Sequence, residues 1–99
     1  MSDRIYELTM LIQPKLEEQA RKQLIDEVVG MVAVGEDEAS KPTISEWGMR
    51  TLAYEINDFR EAYYVYFEGP MKRDQFREIE RQFIYNDDIL RYLFVRKDS

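Results

Sequence analysis

Six segments whose patterning runs strand, helix, strand, strand, helix, strand predict an α+β fold: a ferredoxin-like split βαβ sandwich (βαββαβ), with a four-stranded antiparallel sheet and two helices on one face. Three observations carry this. A nearly unbroken apolar run, Ile5–Ile12, opens the chain, an aromatic run, Tyr63-Tyr64-Val65-Tyr66-Phe67, follows turn residues in its middle, and two stretches with apolar residues at helical spacing separate the strands. Right-handed crossovers then place both helices on the same side of the sheet and leave the other side open. The chain has 99 residues, enough for one hydrophobic core and too few for two, so residues 1–99 are read as a single domain.

Ile5–Ile12 is apolar at almost every position and ends just before Gln13-Pro14, where the proline biases its predecessor toward extended backbone, so a central strand is expected there. Pro14 suits a helix start, and Leu16, Ala20, Leu24, Val28 and Met31 recur about every fourth residue, predicting a first helix over about Lys15–Val34 with Gly35 as a left-handed stop. Thr43–Ile56 is strand-like with Pro42 ahead of it, and proline belongs at the margin of a sheet, so this strand is placed at an edge. Turn residues Asn57-Asp58-Phe59-Arg60 connect it to a strand over Ala62–Glu68, forming a hairpin. Gly69-Pro70 is expected to break the pattern before a helix over about Met71–Ile84, marked by Phe76, Ile79 and Phe83, and Ile89–Arg96 supplies the last strand. Leu8, Met10, Leu24, Val28, Ile79 and Phe83 are the expected core between sheet and helices. Tyr63, Val65 and Phe67 alternate with Tyr64 and Tyr66, so both faces of the third strand are aromatic or apolar, and part of the open face is expected to be covered.

Composition excludes much chemistry. The sequence has no Cys and no His, which removes thiol nucleophiles, imidazole bases, disulfides and nearly all transition-metal sites. Its carboxylates, such as Glu17-Glu18, Asp26-Glu27, Glu36-Asp37-Glu38 and Asp87-Asp88, fall in loops and on polar helix faces rather than in a pocket that would separate their pKa values. Gly30, Gly35, Gly48 and Gly69 stand alone and build no phosphate-cradling loop. An enzyme is not expected, nor is a cofactor or a metal. The polar start, Met1–Tyr6, leads into an apolar segment too short for a signal peptide or membrane span, so a cytoplasmic location is expected. A net charge of −6 argues against unaided binding of nucleic acid. No Arg or Lys lies between Glu61 and Met71, so the third-strand aromatics are expected to serve packing or protein contact rather than base stacking.

The segment Glu46-Trp47-Gly48-Met49-Arg50-Thr51-Leu52-Ala53-Tyr54-Glu55-Ile56 resembles the signature of the bacterial small-subunit ribosomal protein six family: a bulky residue, Gly, any residue, Arg, then Leu-Ala-Tyr. Tyr6-Glu7, Pro14, Tyr63-Tyr64 and Ile89-Leu90-Arg91-Tyr92 also look like that family, so the resemblance spans Arg4 to Lys97. It implies a ferredoxin-like structural protein of the small ribosomal subunit that pairs with ribosomal protein eighteen and, with it, binds the central domain of small-subunit ribosomal RNA. Such a partner would offset the acidic surface, leaving local phosphate contacts to the Arg and Lys side chains here.

By the same resemblance, Arg50 and Arg91 are expected to contact partner or RNA on the open sheet face, with Arg4 and Lys97 as phosphate contacts near the chain ends. Leu52 is expected in the core and Tyr54 partly exposed, available for contact. The sequence departs from the family pattern at Thr51, where a second basic residue is common, at Glu55, where Pro is common, and at Ala62, where Gly is common. Many relatives also continue into a tail beyond the position of Ser99, so contacts made by such a tail are expected to be shorter or missing here.

Two other readings share the architecture. A regulatory or ligand-binding ferredoxin-like module would need a dimer-forming sheet edge and a polar ligand loop. A small acyl-phosphate hydrolase would need a glycine-rich anion loop after the first strand, where Gln13-Pro14-Lys15-Leu16 stands instead.

Overall fold

A computed structural model describes residues 4–97. The expected polar start and the chain end at Ser99 reach outside the described residues. The elements are β1 (Arg4–Ile12), α1 (Glu18–Val32), β2 (Thr43–Ile56), β3 (Phe59–Met71), α2 (Phe76–Ile84) and β4 (Ile89–Arg96), with single 3-10 turns at Glu38–Ser40 and Arg73–Gln75. All strand pairs are antiparallel, in the order β2-β3-β1-β4, which makes β1 central and β2 an edge, as its preceding proline predicts. This is the ferredoxin-like arrangement.

Strand alternation sorts the side chains onto two faces. On β1, Tyr6, Leu8, Met10 and Ile12 point to the helices, opposite Gly69, Phe67, Val65 and Tyr63 of β3. Leu24, Ile25, Val28 and Val32 of α1 and Ile79 and Phe83 of α2 close over them, so all six expected core residues are buried. Phe76 stacks on Phe94 with ring centroids 4.1 Å apart and meets Tyr6 edge-on at 5.0 Å, fixing α2 against the β1–β4 half of the sheet. Arg21 of α1 lies 3.8 Å from the centre of the Tyr63 ring, whose hydroxyl donates to Glu46 of β2 at 2.7 Å, so one aromatic of β3 joins α1 to the edge strand β2.

Several boundaries differ from the sequence reading, among them the start of β3, which lies at Phe59 rather than Ala62 because the turn takes only Asn57 and Asp58. The Gln13 side chain accepts the Lys15 N–H at 2.8 Å, holding Pro14-Lys15 in a turn, so α1 starts at Glu18. At its other end Ala33 is already extended, and Gly35 is not left-handed: a Cβ there would come within 2.9 Å of the Ser40 hydroxyl, so a larger residue would have to displace that side chain. Gly69-Pro70 does not break β3 but lies within it. A Cβ on Gly69 would sit 2.8 Å from the Pro42 Cα, and β2 pairing begins only at Thr43↔Glu68, so Pro70 sits where β3 no longer has β2 beside it and its missing N–H leaves no gap. With β3 running on to Met71, a 3-10 turn intervenes and α2 begins at Phe76.

Part of the open face is covered by the protein itself. Asn57 and Asp58 both have positive φ, 50° and 70°, and form the two-residue turn of the β2–β3 hairpin, which pairs Ile56 with Phe59. Beyond Thr51 the hairpin bulges: the four residues Leu52–Glu55 lie opposite Arg60 alone. There Ile56, Ala62 and Leu90 form a second apolar cluster, supported by Leu11, Leu52, Phe59 and Tyr64. Leu52 thus packs at the margin of this cluster rather than in the main core.

Candidate functional site on the open sheet face

The face of the sheet away from the helices carries Glu7, Thr9 and Leu11 of β1, Ala62, Tyr64, Tyr66 and Glu68 of β3, and Arg91, Leu93 and Val95 of β4. Leu93 is 61% and Val95 43% exposed, so this half of the face is apolar and uncovered. On the β2 side a bulge interrupts pairing between Glu46 and Gly48, and Gly48 has a φ of 88°. The Trp47 indole lies flat on the Tyr66 ring, 5.2 Å between centroids. Next to it, the Arg50 guanidinium sits 5.5 Å from the Trp47 ring centre and 5.9 Å from that of Tyr64. Tyr66, Trp47, Arg50 and Tyr64 therefore form a continuous run of flat groups.

Arg91 lies on the same face. Tyr64 and Arg91 both pair with Leu11, one from each side, so they flank it in one row across the sheet. The Arg91 guanidinium donates to the carbonyl oxygen of its neighbour Leu90 at 2.9 Å. Together with Leu52, Tyr54, Ile56 and Tyr64 it lines a notch of about 230 Å³, below the usual size of a small-molecule site and suited to a single side chain. Tyr54 is 70% exposed at the rim, as expected. Among the described residues neither Arg50 nor Arg91 has a carboxylate partner, whereas Arg60 pairs with Glu55 and Arg81 with Glu78. Both arginines are exposed, and their guanidiniums are oriented by aromatic or backbone contacts.

Lys97 stands at the opposite end of the face. Its backbone N–H donates to the Ile5 carbonyl at 2.9 Å, and its ammonium pairs with Glu68, which also accepts the Tyr66 hydroxyl at 3.1 Å. Lys97 and then Tyr66 hold the Glu68 carboxyl below its ordinary pKa, and Glu68 in turn raises that of Lys97. Burial, then hydrogen bonding to Glu7 and Glu68, raises the Tyr66 phenol. Arg4 is not part of this face: it pairs with Met71, on the same side of β1 as Tyr6 and Leu8. The structure thus gathers Arg50, Tyr54 and Arg91 at one end, places Lys97 at the other, and leaves Arg4 apart.

Sequence reasoning did not find the Trp47–Tyr66 stack, the Glu7–Tyr66–Glu68 group, or the part played by Gly48. A glycine inside a strand is itself a sign of a bulge, and that signal was present. Among the described residues no helix is long and apolar enough to cross a membrane, and no group of His, Cys, Asp or Glu side chains could hold a metal ion.

A βαββαβ sandwich with both helices on one side and an open face bearing aromatic side chains and exposed arginines defines a protein of the ferredoxin-like class. The family model for ribosomal protein S6 matches residues 5–96, and the chain belongs to that family, a family of non-enzymatic structural proteins of the small ribosomal subunit. It is 39% identical over 96 residues to small ribosomal subunit protein bS6 of Heliobacterium modesticaldum, covering 97% of this chain and 98% of that one. The crystal structure of 30S ribosomal protein S6 from Thermotoga maritima superposes with a TM-score of 0.75 at 29% identity, over 96% of this chain and 88% of the other.

Proposed function

We propose that this small-subunit protein acts in assembly by binding the central domain of small-subunit ribosomal RNA jointly with ribosomal protein eighteen, using its open sheet face. The observation that carries this reading is the pair Arg50 and Arg91, exposed on one face and, among the described residues, without carboxylate partners, in a chain of net charge −6. Their setting supports a protein contact as much as a phosphate contact. Leu93, Val95, Tyr54 and the notch beside Arg91 offer apolar area that RNA phosphates would not use. With so negative a chain, long-range forces oppose approach to RNA, and a basic partner bound first would reverse them. Arg4 and Lys97 serve as peripheral phosphate contacts, Lys97 by exchanging Glu68 for phosphate.

The test is the affinity for a fragment of the central RNA domain at physiological salt, with and without purified ribosomal protein eighteen. Binding that needs the second protein is expected. Equally tight binding by this chain without it would overturn the reading.

A further inference from the structure

Between the pairs Glu46↔Val65 and Ile56↔Phe59, β2 uses four residues more than β3: one at Trp47 and three within Leu52–Glu55. An extra residue in one strand inverts the facing of every side chain after it. Counted in strict alternation from Glu46, which pairs with Val65 on the helix side, Arg50 would also face the helices and Met49 would face outward. With Trp47 supernumerary, Arg50 instead pairs with Ala62 on the open face and Met49 with Tyr63 on the helix side. Gly48 closes this bulge with a φ of 88°, and a Cβ built on it would meet nothing within 4 Å. Glycine is therefore favoured there by backbone conformation and not by space.

We infer that Gly48 is a positioning residue for the open face: its left-handed bulge selects Arg50, rather than Met49, for presentation to an anionic group on the partner. The register claim stands on strand pairing alone. Its consequence for assembly rests on the function proposed above. The hairpin can accept the alternative register at little cost, because the turn at Asn57-Asp58 pins Ile56↔Phe59 while the broad bulge at Leu52–Glu55 can take up one more residue. A residue that resists positive φ would thus shift the extra residue from one bulge to the other and turn Arg50 inward.

Three variants test this: Gly48→Val, Gly48→Asn and deletion of Gly48, each read by cross-strand nuclear Overhauser contacts of Arg50 and by incorporation into reconstituted small subunits. In Gly48→Val, Arg50 is expected opposite Glu61, with incorporation reduced roughly 5- to 150-fold, as for loss of one charge-assisted contact. Asn tolerates positive φ, so Gly48→Asn should keep Arg50 opposite Ala62 and incorporate within about threefold of the parent despite its larger side chain. Deletion of Gly48 shortens β2 by the one extra residue, lets Trp47 pair with Tyr64, and should also leave Arg50 opposite Ala62. Should Gly48→Val not fold, Gly48→Ala carries the same conformational demand with less bulk and is read the same way. Arg50 still opposite Ala62 in the Val or Ala variant, or opposite Glu61 in the deletion, would overturn the inference. A register shift with unimpaired incorporation would uphold the role of Gly48 in register and instead contradict the assembly role proposed for Arg50.

Discussion

Trp47 stacks on Tyr66, its ring plane 12° from parallel, and so links the bulge of β2 to the open face of β3. Trp47 is the sole tryptophan of the chain and remains 44% exposed. Its emission should therefore report on the open face directly. Binding of ribosomal protein eighteen is expected to shift that emission to the blue as water is excluded. An unchanged spectrum at saturating partner would place the contact elsewhere.

Leu24 and Ile79 are the points at which α1 and α2 grip the sheet, and both are nearly fully buried. Leu24→Ala or Ile79→Ala should destabilise the fold by about 2–5 kcal/mol, the range for truncating a buried aliphatic side chain. Denaturant unfolding measures this, and a loss below about 0.5 kcal/mol, typical of surface changes, would remove that residue from the core.

The Glu68–Lys97 pair predicts a bounded pH dependence. Glu68 is held below its ordinary pKa, so its contribution is present above the unfolded carboxylate value and lost as pH falls through the folded one. Lys97 is raised, so its contribution is present below the unfolded ammonium value and lost as pH rises through the folded one. The stability difference between the parent and Lys97→Met should therefore form a plateau from about pH 5 to pH 10 and shrink on both sides, given ordinary values near 4.3 and 10.4. A difference that persists undiminished at pH 2 would assign the effect to packing of the lysine stem.

The elements were legible because each has a strong local pattern. Phe76, Ile79 and Phe83 mark α2, the apolar run marks β1, and Pro42 marks an edge strand, all as found. What was not legible depends on chain segments far apart in sequence. Gly69-Pro70 reads as a break until Pro42 is seen against Gly69 and β2 is seen to stop short of Pro70. The facing of Arg50 was beyond reach for a different reason: alternation is a counting argument, and a single bulge at Trp47 reverses the count. Arg91 follows a register break on the β1–β4 side, between Leu11 and Ile12, so its facing was equally hidden. The resemblance to a family pointed to both arginines, and the register shows why they share a face.

The central claim is that this open face serves assembly and not folding, and the double variant Arg50→Ala/Arg91→Ala tests it most directly when thermal stability and incorporation into small subunits are measured on the same protein. Among the described residues Arg50 makes exposed cation–π contacts and Arg91 a bond to its neighbour's carbonyl. The account predicts a stability loss of no more than about 1 kcal/mol, the scale of exposed cation–π contacts. It predicts that incorporation weakens by roughly 1–3 kcal/mol for each arginine, with a flatter salt dependence wherever the contact is to phosphate. A variant that unfolds readily while its folded fraction assembles as well as the parent would contradict it.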